Sequence, residues 1–98
     1  MKYTYRTTTI DLLDTGDESI LEGAWLAGEC RGVRLGLYVT AQNGKWSGYT
    51  LDDHIAWNID NDFRAAGINP KSKRAESIKK SWINAAKSLW PKIVKDYR

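Results

Sequence analysis

Cysteine, histidine and proline are nearly missing from this 98-residue chain, which holds Cys30, His54, Pro70 and Pro91 and no others of those types. One cysteine excludes an intrachain disulfide framework, and one histidine excludes a His–His metal pair or a His-based acid/base couple. Asp52, Asp53, His54, Asp60 and Asp62 crowd together. On a helix, however, Asp53 and Asp60 lie two turns apart, and no ordered ligand spacing emerges. These residues are expected to cap a helix and solvate its face, and no metal or other cofactor is expected. Ser47 and Ser72 sit in turn-like sequence without a base, and Cys30 would have to find His54 in space. Gly28, Gly32 and Gly36 recur every four residues in strand pattern, which is not the spacing of a phosphate-cradling loop. The chain is therefore not expected to be an enzyme. Cys30 reads as a small buried hydrophobe.

Long apolar runs are also lacking, so no membrane span is expected. Residues 1–6 lack the apolar stretch of a secretory signal, which makes the cytoplasm the expected compartment. A hydrophobic content of 42% with 28% charged residues excludes a disordered chain. At this length a single domain is expected over residues 1–98, β-rich over 1–49 and helical over 50–98.

Five tryptophans are what the chain has in excess: Trp25, Trp46, Trp57, Trp82 and Trp90. Indoles supply buried area to a small core, and they also dominate binding energy where proteins meet. So many in so short a chain point to a binding protein. Charge is unevenly placed as well. Residues 71–98 carry nine basic and two acidic side chains, against five basic and six acidic in residues 1–49. That concentration suits an anionic partner surface, or simply a solvated helix face.

Local patterning gives an α+β fold: an antiparallel β-meander of about four strands followed by two helices. Residues 3–13 are rich in Thr, Tyr and Ile and read as one strand, followed by a turn at Asp14-Thr15-Gly16-Asp17. Residues 22–30 and 33–41 are joined around Arg31-Gly32, the second run alternating apolar Val33, Leu35, Leu37 and Val39 with polar or small neighbours. Asn43-Gly44 is a strong hairpin signal returning the chain through residues 45–49. Glycines 28, 36 and 48 suggest bulges or close backbone approach. Leu51, Ile55, Ile59 and Phe63 then recur every four residues, predicting a helix over 51–66 with Thr50 as N-cap, Gly67 at the left-handed C′ position and Ile68 as its contact. A second helix is expected from near Ser72 to about Leu89, and Pro91 either kinks it or starts a last short helix ending near Tyr97.

On that last helix Lys73, Lys80, Lys87, Lys95 and Arg98 share a stripe with Asn84, opposite Trp82, Leu89 and Ile93. The residues expected to contact a partner are Trp82, Trp90, Tyr97, Lys80, Lys87 and Lys73, with apolar side chains as anchors and lysines steering association. The stripe lacks a base-reading set at helix-turn-helix spacing, which argues against sequence-specific DNA readout. Tyr3 and Tyr5 can be read as a stacking platform for single strands or as ordinary strand aromatics. Asn69-Pro70, between two helices, is a candidate conformational element. A cis bond there would make a host prolyl isomerase a candidate partner.

Three stretches carry a resemblance: YTYRTTTIDLLDTGDES, ECRGVRLGLYVTAQNGKWSGYTLDDH and AGINPKSKRAESIKKSW. Through them the chain resembles the short anti-RecBCD proteins carried in the recombination region of lambdoid bacteriophages. The resemblance implies binding in the host cytoplasm to the RecBCD exonuclease–helicase through its RecC subunit, with inhibited or redirected nuclease behaviour at phage DNA ends. The leading expectation is thus a non-enzymatic, phage-type modulator of a host DNA-processing complex. A small basic nucleic-acid-binding module using the C-terminal helix is the alternative, and a homo-oligomeric structural protein is a third reading.

Overall fold

A computed structural model describes residues 2–15, 19–51 and 59–97. Five strands form one antiparallel sheet in sequence order: β1 (Lys2–Tyr5), β2 (Thr8–Thr15), β3 (Gly23–Cys30), β4 (Val33–Gln42) and β5 (Lys45–Thr50). Two helices follow, α1 (Ile59–Ala65) and α2 (Lys73–Tyr97), so the fold is α+β as expected.

Alternation decides which side of the sheet is covered. Val33, Leu35, Leu37 and Val39 of β4 line up with Ala24, Leu26 and Cys30 of β3 and with Ile10 of β2, and all are buried. Both helices pack on that side. Phe63 of α1 and Ile78, Trp82, Ala86 and Ile93 of α2 join the same core, each without solvent exposure. Two closely paired strands need room, and a methyl on Gly28 would collide with the Thr9 carbonyl of β2.

Two expectations change. The single strand over 3–13 is a hairpin, because the chain reverses at Arg6-Thr7, where Arg6 takes a φ of +56°. Arg-Thr is not a turn-forming dipeptide, so nothing in local composition marks the break. Asp14 and Thr15 end β2 rather than turning, while Gly16 and Asp17 of the expected turn lie outside the described residues. Thr50 is the last residue of β5, and the described part of the following helix starts at Ile59, so the expected cap and first turns lie outside the described residues. Residues 52–58, including Asp52, Asp53, His54, Ile55 and Trp57, lie outside the described residues.

The ends of the helices follow their chemistry. After α1, the N–H of Ile68 donates to the Phe63 carbonyl at 2.9 Å and that of Gly67 to Arg64 at 3.0 Å, a Schellman closure with Gly67 at φ +76°. Asn69-Pro70-Lys71-Ser72 then makes a turn, the Ser72 N–H donating to the Asn69 carbonyl at 3.0 Å. Ser72 Oγ accepts the N–H of Ala75 at 3.1 Å, an N-cap satisfying one of the orphan donors of α2. Lys73–Tyr97 is one helix running through Pro91 rather than two. Pro91 is exposed, so the carbonyl that loses its intrahelical donor one turn earlier, at Lys87, faces water on the polar side. Twenty-five residues at 1.5 Å each make a rod of about 37 Å. That equals the longest dimension of the molecule, 37 Å.

Candidate binding surface

The apolar stripe of α2 holds the basic one in place. Trp82 is wholly buried and donates its indole N–H to the Gly36 carbonyl of β4 at 3.2 Å. Trp90, 1% exposed, donates to the Gly44 carbonyl at 3.0 Å. Trp46 of β5 packs edge-on against Trp90, with ring centroids 6.3 Å apart. These contacts fix the helix both laterally and in rotation about its axis.

Trp82 and Trp90 are therefore core, which corrects the expectation that they contact a partner. Their indoles face the sheet with the polar N–H already satisfied, so neither has surface to offer. Trp25 does lie on the other side of the sheet, half-buried against Tyr38, the two ring centroids 4.3 Å apart. No described element packs on that outer face, where Thr4, Glu29, Arg34 and Thr40 are also exposed.

Of the other expected contact residues, Lys73, Lys80, Lys87 and Tyr97 are exposed on α2, Tyr97 at 56%. Lys73, Lys80 and Lys87 recur at seven-residue intervals, about 10 Å of rise per step with a drift of only about 20°. Exposed Asn84 and Lys95 extend the row. Glu76 and Asp96 are the acidic residues of the helix. The Asp96 carboxylate accepts a hydrogen bond from Tyr3 of β1 and so ties the helix end to the edge of the sheet. Burial of the Tyr3 phenol, with the Asp96 charge and hydrogen bond adding to it, raises that group above its usual value of 10.0. Tyr3 is thus a strand aromatic closed under the helix end, not half of a stacking platform.

Asn69-Pro70 lies in a hydrogen-bonded turn. No peptide bond among the described residues is cis, so this one is trans, and the condition attached to a prolyl isomerase is not met. Asn69 Oδ1 accepts the Lys71 N–H at 3.0 Å, and the Asn69 carbonyl accepts the Ser72 hydroxyl at 2.6 Å. The segment serves as the lead-in to α2.

Arg31 has a role that its place in a turn does not announce. At the β3–β4 tip its guanidinium donates to Ser77 Oγ at 2.9 Å and to Ser81 Oγ at 3.1 Å, both on α2. Those serines are spaced i, i+4 beside Lys80 and Asn84, so they belong to the polar side of the helix. Only the hairpin register brings Arg31 to them, 46 and 50 residues away in sequence. Cys30, the residue before it, is buried, as expected of it.

Among the described residues, no helix is long and apolar enough to cross a membrane, and no three His, Cys, Asp or Glu side chains are grouped to hold a metal. No protein-family model, curated protein or solved structure matches this chain.

Proposed function

We propose that this chain is a non-enzymatic, phage-type modulator that docks on a host DNA-processing complex in the cytoplasm and alters its activity. RecBCD, through RecC, is the complex the sequence resemblance names. One observation carries the docking part of this reading: a rigid helix spanning the molecule, locked by Trp82 and Trp90, keeps Lys73, Lys80 and Lys87 on its exposed side, with exposed Tyr97 in its last turn. Pre-ordered charge steers encounter with an acidic surface at little entropic cost, and an exposed tyrosine is a suitable apolar contact with a polar tip.

The experiment is nuclease-treated affinity capture from bacterial lysate, followed by association kinetics with the captured complex. Wild-type chain should retain the host complex at moderate salt. Replacing Lys80→Glu and Lys87→Glu together should slow association about tenfold or more at low salt while leaving the melting temperature within a degree or two. Unchanged association would remove the lysine stripe from the interface.

The nucleic-acid alternative is favoured by a different observation: charge on the polar side of α2 is reinforced by Arg31, which is held by neutral hydroxyls. Phosphate binding would weaken steeply with salt for any sequence, whereas a protein interface built around Tyr97 would persist and fail on Tyr97→Ala.

A further inference from the structure

Two hairpin tips, β1–β2 and β3–β4, lie at the same end of the sheet, beside the first half of α2. Between them and the helix is a cleft of about 290 Å³ lined by Tyr5, Arg6, Thr7, Thr8, Cys30, Arg31, Ser81 and Asn84. Among the described residues, no carboxylate lines it. Its floor is chemically closed: the Thr8 hydroxyl donates to Cys30 Sγ at 3.4 Å, and the Cys30 thiol donates to the Ile78 carbonyl at 3.8 Å. The walls are open donors. Arg31 uses two of its five N–H groups on Ser77 and Ser81, which orient the guanidinium without neutralising it. Arg6 lies over the Tyr5 ring, 5.6 Å from its centroid. Neither arginine is paired with a carboxylate among the described residues.

The backbone supplies a second, independent observation. Arg6 and Arg31 hold left-handed conformations, φ +56° and +52°, at the first position of their turns. Glycine, asparagine and aspartate adopt that conformation readily, and other residues do so at a cost of about 1–2 kcal/mol. Two arginines sit at strained positions on adjacent tips, both lining one cleft whose described walls hold no carboxylate. Such strain concentrates where a side chain serves a ligand.

We propose that this cleft binds a phosphate group of a nucleic-acid strand. The two guanidiniums hold the phosphate oxygens, and the Tyr5, Thr7 and Ser81 hydroxyls and the Asn84 amide border them with further polar groups. Arginine forks match phosphate oxygens. The strand's next phosphates follow Lys80 and Lys87, which flank Asn84 on neighbouring turns of α2. That continuation favours a polyanionic strand over a single acidic side chain. The site goes beyond the docking reading, adding direct contact with the nucleic acid, and it does not depend on which complex is docked.

The test uses fluorescence anisotropy with a labelled oligonucleotide at several salt concentrations. Arg6→Asn with Arg31→Asn removes both charges while supplying at each position a residue that tolerates positive φ. Lys2→Asn with Lys45→Asn, at the other end of the sheet, is the charge-matched control. The arginine pair should lose about a hundredfold in affinity at low salt, and its log–log salt slope should fall by about 0.7 for each phosphate no longer neutralised. The control should lose only a few-fold, and the melting temperature of the arginine variant should hold or rise. Equal losses in the two variants would overturn the proposal, as would a lower melting temperature, which would make the arginines servants of the fold. Competition by poly-glutamate as strong as by unlabelled strand would also overturn it, in favour of an acidic protein ligand. Nuclease-treated capture of the host complex reads the docking proposal separately, so either can fail without the other.

Discussion

The two ends of the sheet are built from the same turn in opposite ways. Arg31-Gly32 and Asn43-Gly44 have nearly identical backbones, φ +52° and +82° against +54° and +85°, the pattern of a type I′ hairpin turn. Asn43-Gly44 uses the residues that geometry favours, and its surroundings are closed: Gly44 donates to the Leu21 carbonyl at 2.8 Å and accepts the Trp90 indole at 3.0 Å. On that same end Tyr3 is sealed by Asp96. Arg31-Gly32 puts a large cation where asparagine would relax, and ties it to hydroxyls that leave its charge intact. Where conformation and packing agree, the chain is serving stability. Where it accepts strain to place a charge, something else is being served.

The largest test of this contrast is removal of Trp90. Trp90→Ala should cost about 3–5 kcal/mol in urea denaturation, through lost burial and a stranded Gly44 carbonyl, and the loss should centre on the Asn43-Gly44 end. Strand binding at the arginine cleft should survive under conditions where the variant remains folded. Next come the turn exchanges, which should have opposite signs. Asn43→Arg should destabilise by about 1–2 kcal/mol. Arg31→Asn should be neutral or stabilising by about 0.5–1 kcal/mol, after its serine bonds are subtracted. Destabilisation of similar size by both exchanges, measured by denaturant titration, would erase the difference between the ends. The smallest effect is alkaline. The folded chain holds the Tyr3 proton above pH 10.0, its ordinary value, while the unfolded chain releases it there. The unfolded state then binds fewer protons, so the stability contributed by Tyr3 is complete below pH 10 and is lost as pH rises past it. Tyr3→Phe should flatten that decline in a pH series of melting temperatures.

Much of the well-packed end is legible in sequence. Alternation over residues 33–39 and the Asn-Gly dipeptide are local signals, and they locate β4, its turn and β5. Gly67 and Ile68 likewise announce the close of α1. The strained end is not legible, for the reason that makes it interesting. Arg6-Thr7 breaks the preference rules, so residues 3–13 read as one strand. The cleft needs two hairpin registers and a helix to bring together residues up to 50 positions apart. For Trp82 and Trp90 two arguments compete. Residue type suggests interface anchors, while helical periodicity puts Trp82 opposite the lysines, on the side that packs. Periodicity prevails, because a sheet with a bare apolar face needs a cover and α2 is the element long enough to supply it. Pro91 interrupts less than its residue type suggests for a related reason: at an exposed position, water replaces the hydrogen bond a proline removes.

The placement of α2 after the whole sheet has a consequence for synthesis. A ribosome delivers β1 to β5 first, and their hairpin contacts are short-range and can form as they emerge. The inner face then stands with Ile10, Leu26, Leu37 and Val39 open to water until residues 73–97 follow. A nascent chain stalled before Trp82 would present that face, rich in β-branched residues and with strand edges bare, to every other protein in the cell. Docking of α2 is therefore the step that takes this apolar face out of reach of other proteins.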